Sequence, residues 1–249
     1  MRAVILAAGR GSRMKSLTEE CPKGLIPLCG KTLVERMMSS LRLSGIHDIA
    51  VITGYRRDKF DYLGLPTFHN PEWANTNMVC SLCAAADWLG RDDVIVCYSD
   101  IFVSPEIIRS LMQDRNEFAL TYDRQWHDLW RARFADVLAD AESFRIRDGL
   151  IQEIGNRAVS IEDIQGQYMG LFKFTPASWR VAENILERLP PERVAKLSVT
   201  PLLQHMIESG YPVHGVPVSG QWGEMDQEGD LLLYETWAKE GRFGPWFGA

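Results

Sequence analysis

The stretch LAAGRGSRMKSLTEECPKGLIP, residues 6–27, gathers two glycines and the cations Arg10, Arg13, Lys15 and Lys23 behind the apolar run RAVIL. Glycine at positions 9 and 11 lets backbone N–H groups approach an anion closely. Beside Gly11 and Ser12, Arg13 offers a planar fork for phosphate oxygens, and Lys23 adds a second cation from a loop stiffened by Pro22. Two cations plus backbone donors suit a polyphosphate whose charge rises as it reacts. Two better-known phosphate schemes fail. A P-loop needs glycine directly before Lys-Ser, and Met14 precedes Lys15 and Ser16. A dinucleotide site needs a third glycine at position 14 and an acid closing the second strand, where this chain has Met14 and TGY. The remaining alternative is a solvated loop whose charges bind nothing.

Transfer between phosphates calls for a hard cation such as Mg²⁺, held by carboxylates near the ends of strands. VIVCYSDIF sets Asp100 just after an apolar run, where an open α/β sheet opens its crevice. GQWGEMDQEGDLLLYE sets Glu224 and Asp226 between a strand and the last helix. Acids at such places also cap helices, so spacing alone leaves both roles open. His47, His69, His127, His205 and His214 are scattered without metal or catalytic spacing, which gives little support to a histidine-based hydrolase. Cys80 and Cys83 form a lone CxxC that reads as core thiols, and an odd count of five cysteines suits reduced thiols.

A second group of residues lies further along. Trp126 and Trp130 are four apart and share a helix face. With Tyr168 they could box a quaternary ammonium; alternatively they pack a lobe onto the sheet. Arg131 and Arg133 could bind the phosphate or carboxylate of an amino-acid-like ligand. Asp123, Glu142 and Glu153 could pair an ammonium.

Elements must hold these groups. RAVILAAG, DIAVITGY, DDVIVCYSDIF and EFALTYD read as strands alternating with helices at TLVERMMSSLRLSG, NTNMVCSLCAAADWLG and SPEIIRSLMQD. Asn75 or Thr76 is the expected cap of the second helix. The alternation predicts an α/β, Rossmann-like fold: a mixed, mostly parallel sheet with helices on both faces. SFRIRDGLIQEIG reads as a hairpin with an Asp-Gly turn, followed by a strand at QYMGLFKFT, helices at PASWRVAENILERL and VTPLLQHMIESG, and a strand-turn at VHGVPVSGQWGEMD. The expected organisation is a single domain over residues 1–249 with a lobe inserted at about 122–170.

The 249 residues are enough for a substantial core. A net charge of −6 argues against nucleic-acid binding. A basic patch on an acidic protein points instead to a small anion. No run approaches the roughly 18 apolar residues of a membrane span, and no signal-peptide pattern opens the chain. The expectation is therefore a cytoplasmic protein. Nothing in the pattern sets an oligomeric state.

LAAGRGSRMKSLTEECPKGLIPLCGKTLVE resembles the signature of the nucleotidyltransferases that make activated sugars and activated small alcohols: an Ala-Ala-Gly turn, G-x-R, then Pro-Lys and an apolar-Pro pair. The resemblance implies that Arg13 and Lys23 bind a triphosphate and that the backbone of Leu6, Ala7, Ala8 and Gly9 reads the base. It implies further that Asp100 and Asp226 meet at Mg²⁺, with Glu224 in the family's E-x-D pattern. NPEWANTNMVCSL resembles the corresponding segment of cytidylyltransferases acting on phosphocholine and phosphonates, which puts Asn77 and Ser81 at the nucleotide or acceptor. The segment from YDRQWHDLWRARF to QYMGLFKF resembles bacterial members of that branch, including those that make CDP-glutamine from phosphorylated glutamine for capsule phosphoramidate. CTP and a small phosphorylated or phosphonate acceptor are then the expected substrates. Trp126, Trp130, Arg133, Glu153, Arg157, Tyr168 and Gly170 are the expected acceptor residues. Arg157 stands near the place where many relatives carry a lysine on the acceptor phosphate. Two rival readings stay open: a sugar-1-phosphate nucleotidylyltransferase, and a non-catalytic nucleotide-binding protein on the same fold.

Overall fold

A computed structural model describes residues 1–248. The chain opens with β1 (Arg2–Ala7), a turn-rich loop, the short strands β2 (Pro27–Leu28) and β3 (Lys31–Thr32), and α1 (Leu33–Leu43). Thr32 and Glu35 close a capping box on α1, each side chain satisfying a backbone N–H at the helix start. Next come β4 (Ile49–Thr53), β5 (Thr67–His69), α2 (Met78–Cys83), α3 (Ala86–Leu89), β6 (Val94–Tyr98) and β7 (Ile101–Val103). The middle of the chain forms α4 (Pro105–Gln113), β8 (Phe118–Asp123), α5 (Trp126–Arg133), β9 (Glu142–Arg147), β10 (Leu150–Arg157) and β11 (Gln167–Phe174). The rest forms α6 (Pro176–Arg188), α7 (Pro191–Lys196), α8 (Val199–Glu208), β12 (His214–Val218), β13 (Trp222–Glu224) and α9 (Glu228–Lys239).

Nine strands form one sheet in the order β5-β4-β1-β6-β11-β8-β12-β10-β9. The sheet is mixed, but less parallel than the alternation predicts. Four neighbour pairs are parallel, β4–β5, β1–β4, β1–β6 and β8–β12. The other four, β6–β11, β8–β11, β10–β12 and β9–β10, are antiparallel. The reason is β11, which returns between β6 and β8, and the β9–β10 hairpin, which extends the far edge. Asp148 and Gly149 turn that hairpin with φ of 52° and 78°, both in the left-handed region that an Asp-Gly pair tolerates.

Successive residues of the buried strands serve opposite faces. Ala3, Ile5 and Ala7 join one cluster with Leu33, Met37, Ile108, Trp130 and Tyr234, from α1, α4, α5 and α9. Val4 and Leu6 join the other with Leu82, Trp179 and Leu203, from α2, α6 and α8. The helix expected over NTNMVCSLCAAADWLG is two helices. The break at Ala85 sets Trp88 edge-on to Phe68 and beneath Arg2. Its cap is Asn77, not Asn75 or Thr76: Asn77 Oδ1 accepts from the Met78 N–H. All five cysteines are free thiols; Cys80 and Cys83 are half-buried at the edge of the core rather than inside it, and burial raises the Cys83 pKa to about 11. No described helix is long and apolar enough to cross a membrane.

Candidate active site

The glycine loop leaves β1 at the end of the parallel strands. Gly11 has φ of 76°, and a Cβ there would stand 2.6 Å from Lys23 Cβ. Glycine is needed at position 11 for its conformation and for this close approach. The next residue, Gly24, packs against Ser99 just after β6, where a Cβ would meet the Ser99 Cβ at 2.8 Å. Arg10 does not join the site; its Nε donates to the Thr18 carbonyl at 3.2 Å and holds the loop.

Three acids converge on Lys23. β7 and β13 pair antiparallel, Glu224 opposite Ile101, and the Met225 N–H donates to the Asp100 carbonyl at 2.9 Å. This pairing carries Glu224 and Asp226 to Asp100, so that ligand oxygens of all three lie within 4.8 Å of one another. Lys23 Nζ donates to Asp100 Oδ2 at 2.7 Å and to Asp226 Oδ1. Arg13, far more exposed, reaches Asp226 Oδ1 at 3.2 Å and Asp140 Oδ1 at 3.4 Å. Burial alone would lower the Lys23 ammonium; Asp100, Asp226 and Glu224 outweigh it and hold the group charged. Burial pushes Asp226 up, but Lys23 and then Arg13 bring it below its ordinary value. Glu224 is pushed up to about 8 by burial and then by Asp226, against the pull of Arg133. The donor set fits a hard divalent cation. Asp100 Oδ1 is buried with no hydrogen-bond partner, a lone pair that such an ion would satisfy.

Arg133 stands behind this cluster. Its side chain is wholly buried. Its Nε and Nη2 form a fork on Asp230 at 3.1 and 3.0 Å, and Nη1 donates to Glu224 Oε2 at 3.2 Å. Asp230 Oδ2 also accepts the Asp226 N–H at 2.7 Å. Arg133 therefore braces the carboxylates and does not reach the acceptor side, contrary to the sequence expectation. A local run of residues gives no sign that an arginine on α5 faces the start of α9, and Asp230 was missed for the same reason.

Two cavities flank the carboxylates and share Arg13, Met78 and Tyr98. The first, of about 300 Å³, is lined by Leu6, Ala8, Gly9, Gly11, Ser12 and Lys23, with Asn77, Ser81 and Asp100 opposite. Ala7 is buried in β1 behind it. Asn77 and Ser81 also hold structure: Asn77 caps α2 and donates to the Lys196 carbonyl at 3.1 Å, and Ser81 Oγ accepts from Asn70 at 2.9 Å. Trp73 lines this cavity too, seated on Gly54, whose Cβ would fall 2.5 Å from it. Sequence reading did not single out Trp73, although it lies in the NPEWANTNMVCSL segment; its fit on Gly54 is a tertiary contact.

The second cavity, of about 230 Å³, is lined by Trp130, Tyr168, Gly170, Glu224 and Asp226, and by Asp140, Glu142 and Gln167. Gly170 makes room for the Tyr98 ring, which a Cβ would strike at 2.5 Å. Besides Arg133 and the exposed Arg131, four expected residues stay outside it. Trp126 is buried against Trp130 at 6.0 Å between ring centroids, as packing. Glu153 accepts from Ser143 at 2.7 Å and lies 3.6 Å from Arg145. Arg157 is exposed on the hairpin. Asp123 is buried on the far side, accepting from Trp222 Nε1 at 2.8 Å.

A glycine loop bearing two cations, facing one carboxylate after β6 and two on and after β13, defines a protein of the nucleotide-transferring α/β class. The comparisons agree. The profile of MobA-like NTP transferase domains matches residues 3–158, and the chain belongs to that family. It is 32% identical to the CTP:phosphoglutamine cytidylyltransferase of Campylobacter jejuni, over 93% of this chain and 98% of the relative. It is 31% identical to the choline-phosphate cytidylyltransferase of Streptococcus pneumoniae over 60% of this chain and 69% of that one. In structure it resembles the inositol-1-phosphate CTP transferase of T. maritima, with a TM-score of 0.77, 22% identity and 96% of each chain covered.

Proposed function

We propose that the protein transfers CMP from CTP to a small phosphorylated or phosphonate acceptor, with release of pyrophosphate. The observation that carries this reading is the meeting of Arg13 and Lys23 with Asp100, Glu224 and Asp226 where two cavities adjoin. The cytidylyltransferase relatives, one of them matched nearly end to end, support CTP as the donor. In this reading CTP occupies the first cavity, its base near the Leu6–Gly9 backbone, Asn77 and Ser81. Its triphosphate draws Arg13 and Lys23 away from the carboxylates. Asp100, Asp226 and Glu224 would hold Mg²⁺, which supplies positive charge to the phosphate oxygens. The acceptor enters the second cavity as its phosphate or phosphonate. An oxygen of that group attacks the α-phosphorus in line, and the bond from that phosphorus to the bridging oxygen breaks. That oxygen leaves with pyrophosphate, where Arg13 and Lys23 neutralise the growing charge. No protein nucleophile is needed, because positioning and charge stabilisation lower the barrier. Residues of about 122–170 serve as the acceptor lobe of a single transferase domain, in the cytoplasm.

The test is a pyrophosphate-release screen with Mg²⁺. It crosses CTP, UTP, GTP, ATP and dTTP with phosphocholine, 2-aminoethylphosphonate, phosphorylated glutamine and sugar-1-phosphates. Release with CTP and an acceptor of the first three kinds is expected. Release confined to sugar phosphates, or binding without release, would replace the reading.

A further inference from the structure

The second cavity holds more negative charge than the transfer itself requires. Beyond Glu224 and Asp226, its wall carries Asp140 and Glu142, and its only cation among the described residues is Arg13. Asp140 is answered by Arg13 at 3.4 Å. Glu142 is not answered. Its carboxylate meets the Thr200 hydroxyl at 3.5 Å and forms no ion pair among the described residues. Arg157 stands opposite it in the β9–β10 ladder, but is exposed and does not pair with it. Burial and Asp140 raise the Glu142 carboxyl above its ordinary pKa, the mark of an uncompensated charge. Gln167 borders the same cavity, is 4% exposed, and keeps Oε1 buried without a hydrogen-bond partner among the described residues. A buried carbonyl and a half-buried carboxylate left this way cost free energy until donors meet them. Tyr98 and Tyr168, edge to face at 5.9 Å, add aromatic walls that also favour a cation. The other acids considered for this role, Asp123 and Glu153, are already satisfied elsewhere.

We infer that Glu142 and Gln167 form a subsite for an N–H-bearing ammonium on the acceptor, selecting amine phosphates and phosphonates over quaternary-ammonium and uncharged ones. A quaternary ammonium would answer the charge of Glu142 but bring no hydrogen to Gln167. An uncharged acceptor would answer neither. The inference rests on the cytidylyl-transfer reading above.

The test measures kcat/KM for CTP-dependent pyrophosphate release with phosphoethanolamine, 2-aminoethylphosphonate, phosphocholine and ethyl phosphate, and CTP binding by calorimetry. The wild type is expected to favour phosphoethanolamine over ethyl phosphate by about tenfold or more. Glu142→Gln keeps the shape of the side chain and should cut that preference about tenfold, through KM. Gln167→Met should cut the preference for phosphoethanolamine over phosphocholine. Preferences unchanged in both folded variants overturn the inference, as does a wild type that favours phosphocholine or ethyl phosphate. Normal CTP binding with no release from either amine also overturns it. Failure to bind CTP overturns the transfer reading, and the inference with it.

Discussion

The nucleotide end and the acceptor end of the crevice are built in opposite ways. At the nucleotide end, two cations ride on one segment between β1 and β2, and glycine lets the backbone close around them. At the acceptor end, Asp140, Glu142, Gln167 and Tyr168 come from the loop after α5 and from β9 and β11, in the part of the sheet where antiparallel pairs prevail. The cations of the first end come from one segment, although its walls do not; the second end is acidic and assembled from a distance. A parallel strand and its crossover helix place a loop at the strand end wherever the fold occurs. The antiparallel strands set their side chains by register, so a ligand pocket there depends on which strands meet.

The carboxylate cluster between the two ends gives the sharpest test of this contrast. A chelator is expected to abolish turnover, and Mg²⁺ to restore it, in a pyrophosphate-release assay. Lys23→Ala and Asp100→Ala should each lower kcat about 10³-fold while far-UV circular dichroism stays native. Near-normal turnover in either would break the division of roles. Arg133 lies on neither end but behind the cluster. Arg133→Leu strands Asp230 and Glu224, and should destabilise the protein by about 3–5 kcal/mol in denaturant titration. A folded Arg133→Leu protein that differed from wild type only in acceptor KM would move this residue back to the acceptor end.

Glu224 adds a pH signature. Its folded pKa, about 8, lies above the ordinary carboxylate value, so the folded form binds its proton more tightly than the unfolded chain. Its contribution therefore favours folding at low pH and is lost as pH rises through about 8. The melting temperature of metal-free wild type, relative to Glu224→Gln, should fall from about pH 5 to about pH 8 and level off above that. Mg²⁺ affinity should rise over the same range, because the ion displaces that proton. The smallest effect belongs to Asn77. If it acts mainly as a helix cap, Asn77→Ala costs about 1 kcal/mol with little change in the KM for CTP. A large rise in that KM would place it among the nucleotide contacts.

Much of this was legible because local rules govern it. Gly9, Gly11, Arg13 and Lys23 form one continuous segment, and the apolar strands declare themselves by composition and length. The Asp-Gly turn of the β9–β10 hairpin could be read directly. The acceptor side could not. Trp126 and Trp130 do share a helix face, but only Trp130 borders the cavity, because α5 turns Trp126 into the core. The cations of that segment looked like ligands, yet Arg133 is consumed by acids on another element and Arg157 points to solvent. The break at Ala85 was invisible because its alanines favour a continuous helix.

The sequence by itself determined the phosphate loop, the strands that carry it, and the presence of acids after β6 and before α9. Each is set by the chemistry of neighbouring residues. Only the tertiary structure decided that Asp100 and Asp226 share one site, that Arg133 braces them, and that Glu142 rather than Glu153 faces the cavity. These follow from the pairing of β7 with β13, the packing of α5 on α9 and the register of β9 on β10. Such contacts join residues far apart in the chain, and their geometry depends on how the whole core packs.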